Sequence, residues 1–136
     1  MKKAASAVIV SGIILLLVSF GLLYSMIAIF PTQAEEYFSP VFRWSDAGTD
    51  WMFYAHPFVL SFALKWFWER YKGQFTGSTI WRAFEVALAY GIVALLPVLW
   101  LTFSAIDISW QMVTTWLLYG ILQAFIAGII FAKMNP

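Results

Sequence analysis

His56 is the only side chain among 136 residues whose ordinary pKa lies near neutrality, so acid–base chemistry at physiological pH would have to run through it. Asp50 or Asp107 has the residue type to orient its ring. Asp46 and Asp50 could join His56 as oxygen ligands of an outer metal site. The alternative is a helix-end histidine satisfied by water or by a neighbouring carbonyl. One histidine with no cysteine cannot supply a histidine-rich metal site, a haem ligand pair or a thiolate cluster. No metal and no cofactor is therefore expected.

A second set is ionic. Lys65 sits near one end of an apolar run and Glu85 near the start of the next, and Arg82 precedes Glu85 by three residues on the same helical face. One account is an ion pair among Lys65, Glu85 and Arg82. The favoured account is a snorkelling lysine and a terminal salt-bridge cluster with Glu69 and Arg70. A third set is polar and aromatic: Tyr90, Trp116, Tyr119 and Gln123, the last three at helical spacing. By stacking and hydrogen bonding these could hold an amphipathic ligand. They could equally serve as hydrogen-bonding glue between helices.

Other chemistry is missing. There is no glycine-rich phosphate loop, no nucleophile motif and no internal repeat. Charged residues are absent from the centres of the apolar runs, which leaves a charged relay or ion path without support. A net charge of +1 gives no basic face for phosphates, so nucleic acid is not an expected partner.

The elements that must position these residues are membrane spans. The chain is 62% hydrophobic and only 11% charged, with mean hydropathy +0.81. A water-facing domain needs about 25% charge, so the lipid bilayer is the expected solvent and first partner. Four runs are long enough: about residues 4–30, 51–72, 80–103 and 109–132. The first could be a secretory signal, with Lys2 and Lys3 before it and Thr32-Gln33-Ala34 as a cleavage site. Its apolar core far exceeds the 7–15 residues of a signal, and a retained helix is expected. Thr49 or Asp50 can cap the second run, and Ser78 or Thr79 the third. Gly73 is the expected left-handed stop of the second.

The fold class read from this is an all-α, polytopic, four-transmembrane-helix bundle, forming one domain over residues 1–136. Lys2, Lys3, Lys65, Arg70, Lys72, Arg82 and Lys133 fall on one side of it and only Arg43 on the other. The positive-inside rule then puts both termini in the cytoplasm. Glu35, Glu36, Asp46, Asp50 and Asp107 collect outside. Between spans one and two, residues 31–50 form an outer loop. Capping-box spacing at Thr32–Glu35 and the Ser39-Pro40 pair predict two short interfacial helices carrying Tyr37, Phe38, Phe42 and Trp44.

Small residues mark packing surfaces. Ala83, Ala87 and Gly91 recur every fourth residue on span three, as do Gly120, Ala124, Gly128 and Ala132 on span four. Because the connection between these spans is very short, they are expected to be antiparallel neighbours packing through those stripes. The stripes could otherwise serve a homo-oligomer. Pro57 and Pro97 should kink spans two and three at matched depth and part them into an outward-opening cavity lined by His56. In size and layout the chain is similar to small four-helix proteins of the bacterial inner membrane, without a shared residue motif.

Taken together, few polar groups amid many aromatics and small residues favour contacts over catalysis. The expected role is a multi-pass protein working through helix contacts, as a homo-oligomer or as an accessory subunit of a larger membrane complex. The alternatives are a carrier, channel or binding protein for a small amphipathic ligand near His56, and an enzyme built on His56.

Overall fold

The computed structural model describes the backbone of residues 2–42 and 48–136, and side chains from residue 4 onward. Arg43, Trp44 and Asp46, with the side chains of Lys2 and Lys3, lie outside the described residues. All regular structure among the described residues is helical. Helix α1 is Lys2–Ile29, α2 is Pro31–Glu35, α3 is Trp51–Tyr71, α4 is Thr79–Tyr90, α5 is Leu96–Ala105 and α6 is Trp110–Met134. Three stretches are long and apolar enough to cross a membrane: Ala4–Ile29, Thr79–Ala105 and Trp110–Met134. Helix α3 has 21 residues, about 30 Å at 1.5 Å per residue, but His56, Pro57, Lys65 and its Trp and Tyr side chains make it less apolar than those three.

The long helices lie antiparallel in a spatial order that differs from the chain order. Helix α3 runs along α1: the Phe20 ring meets Phe53 at 6.2 Å and Tyr54 at 5.8 Å, Phe58 covers Gly12, and Ser61 donates to the Val8 carbonyl at 2.9 Å. Helix α6 takes another side of α1, with Gln123 donating to Ser19 at 3.2 Å. Helix α4 packs most extensively on α6. The order across the molecule is therefore α3, α1, α6, then α4 with α5. Helices α3 and α6 meet only near one end, where Trp68 lies 6.4 Å from the Phe131 ring. Between α3 and α4 there is no extended interface.

The α4–α6 contact is close because its side chains are small. Ala83, Ala87, Gly91, Gly120, Ala124, Gly128 and Ala132 are all buried. A Cβ placed on Gly128 would come within 2.8 Å of the Ala83 Cα, so the two backbones nearly touch there. Gly91 faces Ile121, and Gly120 faces the Leu95 side chain. In a setting where lipid provides no hydrophobic drive between helices, this proximity gains dispersion contact.

The two prolines act differently. Pro57 is buried and α3 continues through it without interruption. Ahead of Pro97 the helix widens into a π turn over Gly91–Leu95, in which the Leu96 N–H reaches the Gly91 carbonyl. Pro97 has no N–H and its ring would strike a carbonyl one turn back in a regular helix, so a wider turn relieves the conflict. Pro97 itself is exposed.

Turn chemistry corrects several expectations. The left-handed glycine is Gly77, at φ +90°, and not Gly73. Ser78 then caps α4 by accepting from the Trp81 N–H at 3.3 Å, and Ser109 caps α6 by accepting from the Met112 N–H at 3.2 Å. Helix α2 begins at Pro31 with Phe30 before it, so Thr32 lies inside the helix and the capping box is not formed. A single 3-10 turn, Glu36–Phe38, follows. Residues 39–42 make a tight turn in place of the start of a second interfacial helix, with the Phe42 N–H on the Ser39 carbonyl at 3.0 Å.

Candidate functional site

The charged end of the molecule is built where α3, α4 and α6 converge. Lys65 is only 4% exposed and its ammonium lies 5.4 Å from the centre of the Phe131 ring. Its partner is Glu69, one turn along α3, and not Glu85. The reason is the spatial order of the helices, in which α3 and α4 share no extended interface and approach only at this end. Glu69 also receives Lys72 at 3.5 Å and the Asn135 side-chain amide. Arg82 turns towards α3 as well: its guanidinium stacks 4.7 Å from the centre of the Trp68 ring and donates to the Lys72 carbonyl at 3.4 Å. Trp68 in turn donates its ring N–H to the Asn135 carbonyl at 2.9 Å. The Lys65–Glu85–Arg82 ion pair does not form; Lys65 joins Glu69 in a terminal cluster, with Lys72 and not Arg70 as the second cation on Glu69. Glu85 Oε2 and Arg82 Nε stay buried without a hydrogen-bond partner among the described residues.

The polar and aromatic set does not gather around one space. Gln123 is buried and donates to Ser19, and Tyr119 lies beside the same hydroxyl. Trp116 faces the outer loop and donates to the Tyr37 hydroxyl at 2.6 Å. Tyr90 packs against the apolar core. Phe42 completes an aromatic cluster with Tyr37 at 5.3 Å and Trp116 at 6.2 Å. Burial pushes the Tyr37 hydroxyl above its ordinary pKa, and the Trp116 hydrogen bond offsets part of that rise.

One cleft opens at the outer end beside this cluster. It has a volume of about 360 Å³ and is lined by Glu36, Ser39, Phe42, Asp107, Ile108 and Ser109. The Glu36 carboxylate accepts from the Ser109 N–H at 3.3 Å, at the start of α6, where a negative charge is favoured. Sequence reasoning did not single out Glu36, Phe42 and Asp107 as one lining. The pairing of Gln33 with Thr115 at 3.0 Å, which pins α2 to α6, had no sequence signal either.

His56 is the largest departure. The sequence points it inward between spans two and three with a polar partner. It is exposed on the outward side of α3 and has no hydrogen-bond partner among the described residues. The side of α3 that turns inward presents Pro57, Leu60, Ser61, Leu64, Lys65 and Trp68. A cavity between spans two and three at His56 would need those spans to be neighbours, and α1 and α6 stand between them. Among the described residues no group of three or more His, Asp and Glu could hold a metal ion. The chain matches no family model, no curated protein and no solved structure.

Proposed function

We propose that the chain is a four-span protein of the bacterial inner membrane, with both termini in the cytoplasm, that works through helix–helix contacts. It would act as a homo-oligomer or as an accessory subunit of a larger membrane complex. One observation carries this reading. The polar groups best placed to hold a ligand are engaged internally, Trp116 with Tyr37, Gln123 with Ser19 and Lys65 with Glu69, while unpartnered His56 faces outward. Side chains committed to internal partners, two of these pairs joining separate elements and Lys65–Glu69 lying within α3, are not free to bind or turn over a substrate. The test is purification from the native membrane in a gentle detergent, followed by native mass measurement. The expected result is an assembly larger than the 15.5 kDa chain. A lone chain under conditions that preserve known membrane complexes would remove the reading.

A second reading, binding of a small amphipathic ligand, is favoured by the outer cleft and no longer by His56. Two carboxylates beside the Phe42 ring suit an organic ammonium group. Retention of such a molecule in native mass spectra, and its loss in Phe42→Ala, would support it. Spectra of the bare chain at millimolar tetramethylammonium would count against it.

A further inference from the structure

We propose that the outward face of α3 is the contact surface of a parallel, two-fold dimer of this chain, with His56 of each copy hydrogen-bonded to the other. The inference rests on the contact-mediated reading above and names its surface. Met52, His56, Val59, Ala63, Trp66 and Arg70 recur at alternating four- and three-residue steps, and all six are exposed. Such spacing makes a straight seam along a helix and suits left-handed packing at a crossing angle of about 20°. The seam lies opposite the side of α3 that packs on α1.

Depth is what turns this seam from a lipid-facing surface into a contact. Phe58 covers Gly12, and Phe20 meets Phe53 and Tyr54, so His56 lies level with residues between 12 and 20 of α1. That is the middle of the Ala4–Ile29 apolar stretch. An imidazole in hydrocarbon without a partner is costly, and ionisable residues at such depth face protein or water. Among the described residues neither is supplied on this face. A second copy in the same membrane has the same orientation, so a two-fold axis along the membrane normal brings His56 to His56 at equal depth. A neutral imidazole carries one donor and one acceptor, so one His56 can donate its N–H to the bare nitrogen of the other, a single hydrogen bond that departs locally from the two-fold symmetry. Ala63, about two turns further along α3, lets the backbones come close. Arg70 lies at the charged end, where like charges are separated by water and headgroups.

Because the chain has no cysteine, single cysteines report the geometry cleanly. The full chain is placed in liposomes as Val59→Cys, Ala63→Cys, Val93→Cys or Leu101→Cys and treated with a mild oxidant. Val93 and Leu101 are outward controls, 76% and 67% exposed. Val59→Cys and Ala63→Cys should give disulfide dimers several-fold faster than either control. In a cysteine-free background His56→Ala should raise the dimer dissociation constant about 3- to 30-fold, the range for one interhelical hydrogen bond, and His56→Asn should recover part of that loss. Equal cross-linking at seam and control positions, or an unchanged constant in His56→Ala, overturns the proposal. A larger native assembly without seam cross-links overturns the seam alone, whereas a lone chain in the native membrane removes the contact-mediated reading with it.

Discussion

Gly128 and Gly21 make opposite forecasts for one chemical change. A methyl group at Gly21 would meet nothing within 4 Å, so Gly21→Ala should hold or raise stability by up to about 1 kcal/mol, since alanine restricts the unfolded chain. At Gly128 the same methyl would lie 2.8 Å from the Ala83 Cα, and backbone cannot swing aside. Gly128→Ala should cost about 1–3 kcal/mol by overpacking, measured as thermal unfolding in one detergent. Equal melting temperatures for the two variants would show that α4 and α6 are not in close contact. Tyr37 offers a test by pH. Burial raises its folded pKa above the ordinary value near 10, so its contribution is full below pH 10 and is lost as pH rises through the raised folded value. The stability difference between the native chain and Tyr37→Phe should therefore shrink above pH 10 and stay constant below it. Residue identity made the small stripes legible, because spacing alone predicts that they share a face. It could not reveal that Tyr37 meets Trp116, since a contact across 79 residues depends on how the loop folds back.

At the scale of elements, caps are both readable and testable. Ser78 and Ser109 stand just before apolar helices, and each accepts a backbone N–H three residues on. Ser78→Ala and Ser109→Ala should each cost about 1 kcal/mol in a denaturant series, because an orphaned N–H at the helix start loses its partner. A change well below that at Ser78 would show that water at this exposed end replaces the cap fully. The helices themselves were legible because long apolar runs admit few alternatives in lipid. Their defects were not. Pro97 announces a break, but whether a helix kinks or widens depends on how its neighbour fits, and here Gly91 lies against Ile121 just where the widening begins. Gly73 and Gly77 both suit a left-handed stop, and the path from α3 to α4 selected Gly77. The outer loop misled for a related reason: Pro31 starts α2 one residue before Thr32, which takes Thr32 out of the capping position.

At the scale of the whole molecule, adjacency was the hidden variable. Chain order alone makes sequence neighbours into spatial neighbours, which sets His56 and Lys65 against the third span. The spatial order α3, α1, α6, α4 sends Lys65 to Glu69 and leaves His56 outside. This order also bears on topology. Helix α3 is less apolar than its three companions, so the proposal that it crosses is supported by its length and by its antiparallel run along α1. If it crosses, Gln74 and the termini share one side and the loop before α3 lies on the other; the proposed orientation, read from the Lys and Arg distribution, makes the first side cytoplasmic. If it does not, Gln74 lies on the same side as the loop. The absence of native cysteine makes the distinction direct. Phe38→Cys, 75% exposed in the native chain, should react with an impermeant maleimide in intact cells. Gln74→Cys, also at an exposed position, should react only after the cells are opened. Labelling of both from outside would leave α3 lying along the outer surface, and His56 would then face headgroups and water. That result would remove the four-span reading and, with it, the physical need for a partner at His56.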